Sequence, residues 1–223
     1  SDIDFLIELN ELCYEYGIDT ISLGGTIACY IEANNLSFGD KSLIMSLVEK
    51  TLKNKAEGKL INKGSKRLAL ELNKETLSMS VKGMELPAYH PKGLYGMALA
   101  YGTSNRGACH LRSYMIAPEV LGIPKLISPK IKSGKAGLVI YFQNSHAVSD
   151  SAIFCRFLGL AVNDDYLARM VSAFTGSDLS TTDYQRIGER IYVLERIFNL
   201  KAGFTHKDDF LPDRLMFEDY DRM

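Results

Sequence analysis

Apolar residues recur at three- and four-residue spacing along most of this chain. Phe5, Leu6, Leu9, Leu12, Cys13 and Tyr16 fall on one face, predicting an amphipathic helix over 4–16 that Gly17 stops. Asp19 is placed to cap a second helix running to about Glu32, with Ile27 and Ile31 on its apolar stripe. Asp40 caps a third, whose buried side carries Leu43, Ile44, Leu47, Val48 and Leu52, and a short helix is expected over 66–72. The pattern then changes. Leu77, Met79 and Val81 alternate with Thr76, Ser78 and Ser80, which reads as strand-like or extended. Pro87 and Pro91 keep the following chain irregular, and a boundary between two helical lobes is placed near residue 80.

Residues 101–114, YGTSNRGACHLRSY, hold few side chains that a core helix would bury and read as a polar loop. Pro118, Pro124 and Pro129 mark an irregular connection after it. A helical run is expected over 134–160, interrupted near 145–149, and Asn163 caps a helix that ends at Gly176. Ser180 and Asp183 form a capping-box pattern at the start of a long helix carrying Ile187, Ile191, Leu194, Ile197 and Phe198. Gly203 ends it, and Pro212 lies in an acidic tail. The fold class is therefore all-α, a two-lobe helical region with a short extended segment near 75–92.

Composition narrows the function. The 223 residues carry 26 Lys and Arg against 27 Asp and Glu, a formal charge of -1. Neither a nucleic-acid binder with a basic excess nor an acidic disordered chain is indicated. The four cysteines are dispersed, which suits a reducing compartment, and the amphipathic N-terminus is not a signal peptide. No apolar run reaches the roughly 18 residues that span a bilayer, so the expectation is a cytoplasmic protein without membrane partners. The chain opens at Ser1 without Met, as a processed product or a piece of a longer polypeptide does.

Several candidate chemistries compete with plain structural readings. The run 50–67 holds seven Lys or Arg against Glu57 and would suit phosphates, but it lacks interleaved aromatics and reads as a solvated helix face. Gly24 and Gly25 lack the lysine of a phosphate loop and suit close helix packing. Ser104 and His110 lack the Gly-x-Ser-x-Gly elbow of a hydrolase. Cys13 and Cys29 sit on apolar helix faces, and on spacing alone Cys155 also reads as a buried structural thiol. Arg106, Cys109, His110 and Arg112 remain as a polar loop shaped to hold something anionic or reactive.

Four stretches carry a resemblance that covers nearly the whole chain: ELCYEYGIDTISLGGTIA (11–28), VKGMELPAYHPKGLYGMALAYGTSNRGACHLR (81–112), DSAIFCRF (150–157) and RIGERIYVLERIFNLKAGFTHKDDFLPDRL (186–215). Together they resemble the C-terminal helical domains of the tungsten-containing aldehyde:ferredoxin oxidoreductases. The resemblance implies that residues 1–80 end the family's second domain, that 81–223 form its third, and that an N-terminal β-rich domain is missing. It implies tungsten, or molybdenum, held by two pterin dithiolenes beside a [4Fe-4S] cluster, with aldehyde as substrate and ferredoxin as electron acceptor. A homodimer is a further implied partner.

On the same basis His110 matches a histidine beside the metal that assists proton transfer, and Arg112 a basic position that contacts pterin. Asp19 ends one pterin motif, Asp-x-x-Gly-Leu-Asp, and Asp150 opens its partner, Asp-x-x-Gly-Leu-Cys, whose terminal Cys155 matches a cluster ligand. Tyr14 stands where the first motif has Asp, and Ile153-Phe154 replaces the second motif's Gly-Leu. The Cys-x-x-Cys-x-x-x-Cys set for the other three cluster ligands is absent from the chain. The isolated chain is accordingly expected to hold no cofactor and to be inactive. The alternative is a degenerate, cofactor-free relative acting as an interaction or assembly module.

Overall fold

The computed structural model describes residues 2–217, which fold as two units: 2–88 with 211–217, and 89–210. The first unit opens with α1 (Ile3–Tyr16), α2 (Thr20–Ala33), α3 (Lys41–Leu52), α4 (Gly58–Ile61) and α5 (Ser65–Glu71). Asp2, Asp19 and Asp40 cap α1, α2 and α3, each carboxylate accepting a backbone N–H three residues on. A turn of 3₁₀ helix (Glu75–Leu77) follows, and then a minimal hairpin of β1 (Ser80–Val81) and β2 (Met84–Glu85), with Val81 opposite Met84. The alternating stretch 76–81 thus contributes only two residues to a strand.

Helix α2 lies at the centre of this unit, packed on α4, α5 and β2. Its residues Leu23, Ile27, Cys29 and Ile31 meet Leu47, Val48, Ile61 and Leu68 in one core. Within it, the buried Glu85 carboxylate ties three elements together. It accepts the Ser65 backbone N–H at 2.7 Å, the Ser22 hydroxyl at 2.8 Å and the Thr26 hydroxyl at 3.4 Å. A buried carboxylate so fully hydrogen-bonded acts as a clip rather than as an orphaned charge.

The second unit holds α6 (Tyr95–Thr103), a π turn (Ala117–Leu121), α7 (Lys135–Ser151), a 3₁₀ turn (Arg156–Leu160), α8 (Asp164–Thr175) and α9 (Thr181–Lys201). The chain then returns to the first unit with α10 (Asp213–Phe217), where Arg214 pairs with Glu32 at 2.6 Å. Helices α7 and α9 make the main packing of the second unit. They cross so closely that a Cβ on Gly188 would lie 2.0 Å from the Asn144 carbonyl oxygen. Val148, Leu167, Ala168 and Tyr184 form the buried core beside that crossing.

Three local expectations need correction. Helix α7 runs unbroken through 145–149, because its polar residues are satisfied inside the unit: Ser145 donates to Asp164 at 2.6 Å and Ser149 to the His146 carbonyl. Residues 101–103 are helical rather than loop. Gly102 is needed there because a Cβ would lie 2.7 Å from the Asp209 carbonyl oxygen. Cys155 is exposed, so its reading as a buried core thiol fails. Among the described residues, no helix is long and apolar enough to cross a membrane.

Candidate functional site

The segment 104–114 is irregular yet tightly held by the second unit's helices. Asn105 donates to the Tyr192 carbonyl at 2.9 Å, and its own carbonyl accepts from Asn199 at 2.7 Å. At its start, the Tyr192 hydroxyl donates to the Thr103 carbonyl at 2.5 Å, and Gln143 donates to the Thr103 hydroxyl. At its end, the Leu111 carbonyl meets His146 Nδ1 at 2.8 Å and the Ser113 hydroxyl donates to the Val139 carbonyl. The buried Ser104 hydroxyl accepts the Arg106 N–H at 3.3 Å.

His110 is half-buried, with the rings of Tyr89 and Tyr114 at 5.6 and 6.3 Å. Burial, with the nearby Arg106 charge, pushes its pKa below the ordinary histidine value, so it is neutral at neutral pH. Arg112 reaches Asp150 on α7 at 3.4 Å and Glu195 on α9 at 3.2 Å. Its Nε is buried and has no hydrogen-bond partner among the described residues. The structure thus brings Arg112 and Asp150 together beside His110's loop, at one end of the α7–α9 crossing.

Asp19 belongs to the first unit, and its local geometry has a counterpart at Cys155. In the first unit α1 ends at Gly17, with φ +66°, and the Ile18 N–H returns to the Cys13 carbonyl at 2.8 Å. Asp19 follows in extended conformation as the cap of α2. In the second unit α7 ends before Ile153, with φ +61°, and the Phe154 N–H returns to the Ser149 carbonyl at 2.9 Å. Cys155 follows in extended conformation at the position before the 3₁₀ turn, without a side-chain capping hydrogen bond. The two segments, 14–19 and 150–155, therefore share one backbone design, a left-handed helix stop, a bond back across the last turn, and an extended residue at the start of the next turn of helix. The apolar residue after each stop, Ile18 or Phe154, packs into its own unit's core.

This design explains the residue types of both segments. The left-handed position favours glycine, the next residue must be apolar, and the last must present a side chain at a helix start. Gly17 obeys the first rule; Ile153 adopts the same backbone with a β-branched side chain that is 92% exposed. Tyr14, at the head of the first segment, is 80% exposed.

Sequence reasoning missed several residues that build this region. His146, Asn105 and Glu195 hold the loop or its arginine through contacts to residues distant in sequence. The polar run QNSHAVSD looked like a helix break, whereas its Gln143, His146 and Asp150 all face partners in the 103–112 segment. Their i, i+3, i+7 spacing was the signal available. Among the described residues, no group of three His, Cys, Asp or Glu is arranged to hold a metal ion by itself.

Comparison with known proteins places the chain in a family. A family described as "Aldehyde ferredoxin oxidoreductase, domains 2 & 3" matches residues 1–222. Tungsten-containing aldehyde ferredoxin oxidoreductases of Pyrococcus furiosus, Pyrococcus abyssi and Thermococcus kodakarensis are each 40% identical to the chain over 98% of its length. The chain spans 39% of the length of each of these relatives. A mostly helical protein that matches along its whole length in this way belongs to the aldehyde ferredoxin oxidoreductase family, as its second and third domains.

Proposed function

We propose that this chain provides the helical part of an enzyme that oxidises aldehydes to carboxylates and passes the electrons to ferredoxin. The observation that carries this reading is the repeated turn that presents Asp19 in one unit and Cys155 in the other. Such a turn exposes a carboxylate or a thiol at a helix start, where a bound group can be reached. A loop carrying a neutral histidine lies in the same unit as Cys155.

Each unit carries residue types that would hold part of a tungsten–pterin and [4Fe-4S] group. Cys155 offers an exposed thiol for one cluster position. Cys13, Cys29 and Cys109 are buried, so the other cluster ligands come from elsewhere in the enzyme. Asp19 and Asp150 offer carboxylates to pterin N–H groups. The orphaned, buried Nε of Arg112 is a donor still lacking an acceptor, as expected of a residue that faces a bound group. When bound, the metal–pterin group with its cluster supplies the two-electron oxidation and the path to ferredoxin.

This chain's own contribution is proton handling and orientation. His110 is kept neutral by burial and Arg106, so its unprotonated ring nitrogen can accept a proton released at the reacting carbon or at water. Tyr89 and Tyr114 flank the ring and limit solvent around it. Arg112, held between Asp150 and Glu195, keeps a positive charge fixed beside the loop. The isolated chain is expected to be inactive.

The test is aldehyde oxidation with an artificial electron acceptor, using the intact protein that contains this chain, purified without oxygen. Activity that falls about 10²–10⁴-fold in His110→Asn, the usual range for losing a general acid–base group, supports the proposal. A metal-loaded intact protein with no activity toward any aldehyde overturns it. The second reading, a cofactor-free interaction module, draws support from Tyr14 in place of a carboxylate and from bulky Ile153-Phe154.

A further inference from the structure

Three consecutive residues of the loop hang on one helix. The Leu111 carbonyl meets His146 Nδ1 at 2.8 Å, Arg112 pairs with Asp150 at 3.4 Å, and the Ser113 hydroxyl donates to the Val139 carbonyl at 3.3 Å. Val139, His146 and Asp150 are all on α7, spaced seven and four apart, so they share one helical face. The His146 contact falls on the carbonyl of Leu111, the residue between the two proposed site residues His110 and Arg112.

We propose that His146 is a positioning residue, whose Nδ1–H holds the Leu111 carbonyl and so fixes the backbone from which His110 and Arg112 project. A carbonyl oxygen can only accept, so the proton of this contact belongs to Nδ1 and the tautomer is set by the loop itself. His146 is buried, and burial pushes its pKa down to about 3, with the Arg156 charge adding to the effect. The ring is therefore a neutral donor throughout the physiological range. An apolar side chain of similar size would fill the space and leave the Leu111 carbonyl unheld. The Phe142 ring, 5.6 Å from the imidazole, packs beside it and limits its rotation.

This inference rests on the reading that His110 and Arg112 serve a reacting group, but its test does not. Leu-Arg occurs once in the sequence, at 111–112, so carbonyl-¹³C leucine with ¹⁵N arginine gives a single backbone correlation in the full chain. In His146→Leu that carbonyl signal is expected to move upfield. The backbone amides of 110–113 should exchange about 2- to 10-fold faster, the effect of losing one buried hydrogen bond. In His146→Asn, whose amide nitrogen stands where Nδ1 stood, the signal should return toward the wild-type position, while His146→Gln should not restore it. That rescue separates positioning from general packing.

If His146→Leu fails to fold, the Asn and Gln variants decide the matter between them. An unmoved Leu111 signal in folded His146→Leu overturns the proposal, as does equal displacement in Asn and Gln. A metal-free, inactive intact protein with a normal Leu111 signal would instead sink the functional reading and leave the clamp standing.

Discussion

Ile153 carries a cost that a single substitution can release. It holds φ at +61°, the region where a β-branched side chain crowds its own backbone, at the position equivalent to Gly17 in the other unit. That conformation costs roughly 1–2 kcal/mol for a residue with a Cβ. The side chain is 92% exposed, so its removal forfeits little burial. Glycine gives back about 0.4–1 kcal/mol through the freedom of the unfolded chain. The balance predicts that Ile153→Gly stabilises the protein by about 0.5–1 kcal/mol, a rise of about 1–4 °C in Tm for a chain of this size. Urea unfolding, with the m-value checked for constancy, measures it. Gly17→Ala is the mirror experiment. Nothing lies within 4 Å of the added Cβ, so only conformation is taxed, and a loss of about 1 kcal/mol is expected. If Ile153→Gly destabilises, or Gly17→Ala is neutral, the shared design of the two turns is refuted.

Other consequences follow from single contacts. His146 has an ordinary pKa of 6.5 when unfolded and about 3 when folded, so below pH 6.5 the unfolded chain binds the extra proton and stability falls with pH. At pH 5 this costs about 2 kcal/mol, from 1.5 units at about 1.36 kcal/mol each, and the stability difference between wild type and His146→Asn should shrink by that amount relative to pH 7. A pH-independent difference would contradict it. Gly188→Ala places a methyl 2.0 Å from the Asn144 carbonyl oxygen and should cost about 3 kcal/mol or more, since backbone cannot yield as a side chain does; a loss under about 1 kcal/mol in urea would show that α7 and α9 are not so close. Cys155 is exposed while Cys13, Cys29 and Cys109 are buried, and burial, ahead of Glu32 and Glu85, pushes the Cys29 thiol up to about 11. One of four thiols should therefore react quickly with a thiol reagent in the native protein, and two or more fast thiols would contradict the assignment.

The legible parts of this molecule are those governed by local rules. Caps at Asp19, Asp40, Asn163 and Ser180 sit where side-chain chemistry puts them, because each needs only a backbone three residues away. The stops at Gly17 and Gly176 follow from the same locality. The polar run 145–149 reads as a break in α7 because its polar residues are satisfied by groups distant in sequence, Asp164 for Ser145 and Leu111 for His146. The short helices α4 and α6 gave no distinct apolar stripe. Buried glycines at 58 and 96 lie against other chain segments there, a demand visible only in three dimensions. The loop's chemistry was conspicuous in Arg106, His110 and Arg112, but its support was not, since Asn105, His146 and Glu195 act across 35 to 90 residues. The exposure of Cys155 is likewise invisible to spacing, which cannot tell an exposed cysteine at a helix start from a core one.

The most direct test of the central claim is the metal content of the native protein that contains this chain, purified without oxygen from its source and followed with an antibody to the chain. The proposal predicts about four iron atoms and one tungsten or molybdenum per chain, the load of one cubane cluster and one metal site. Metal-free native protein would contradict it and leave the interaction-module reading in its place.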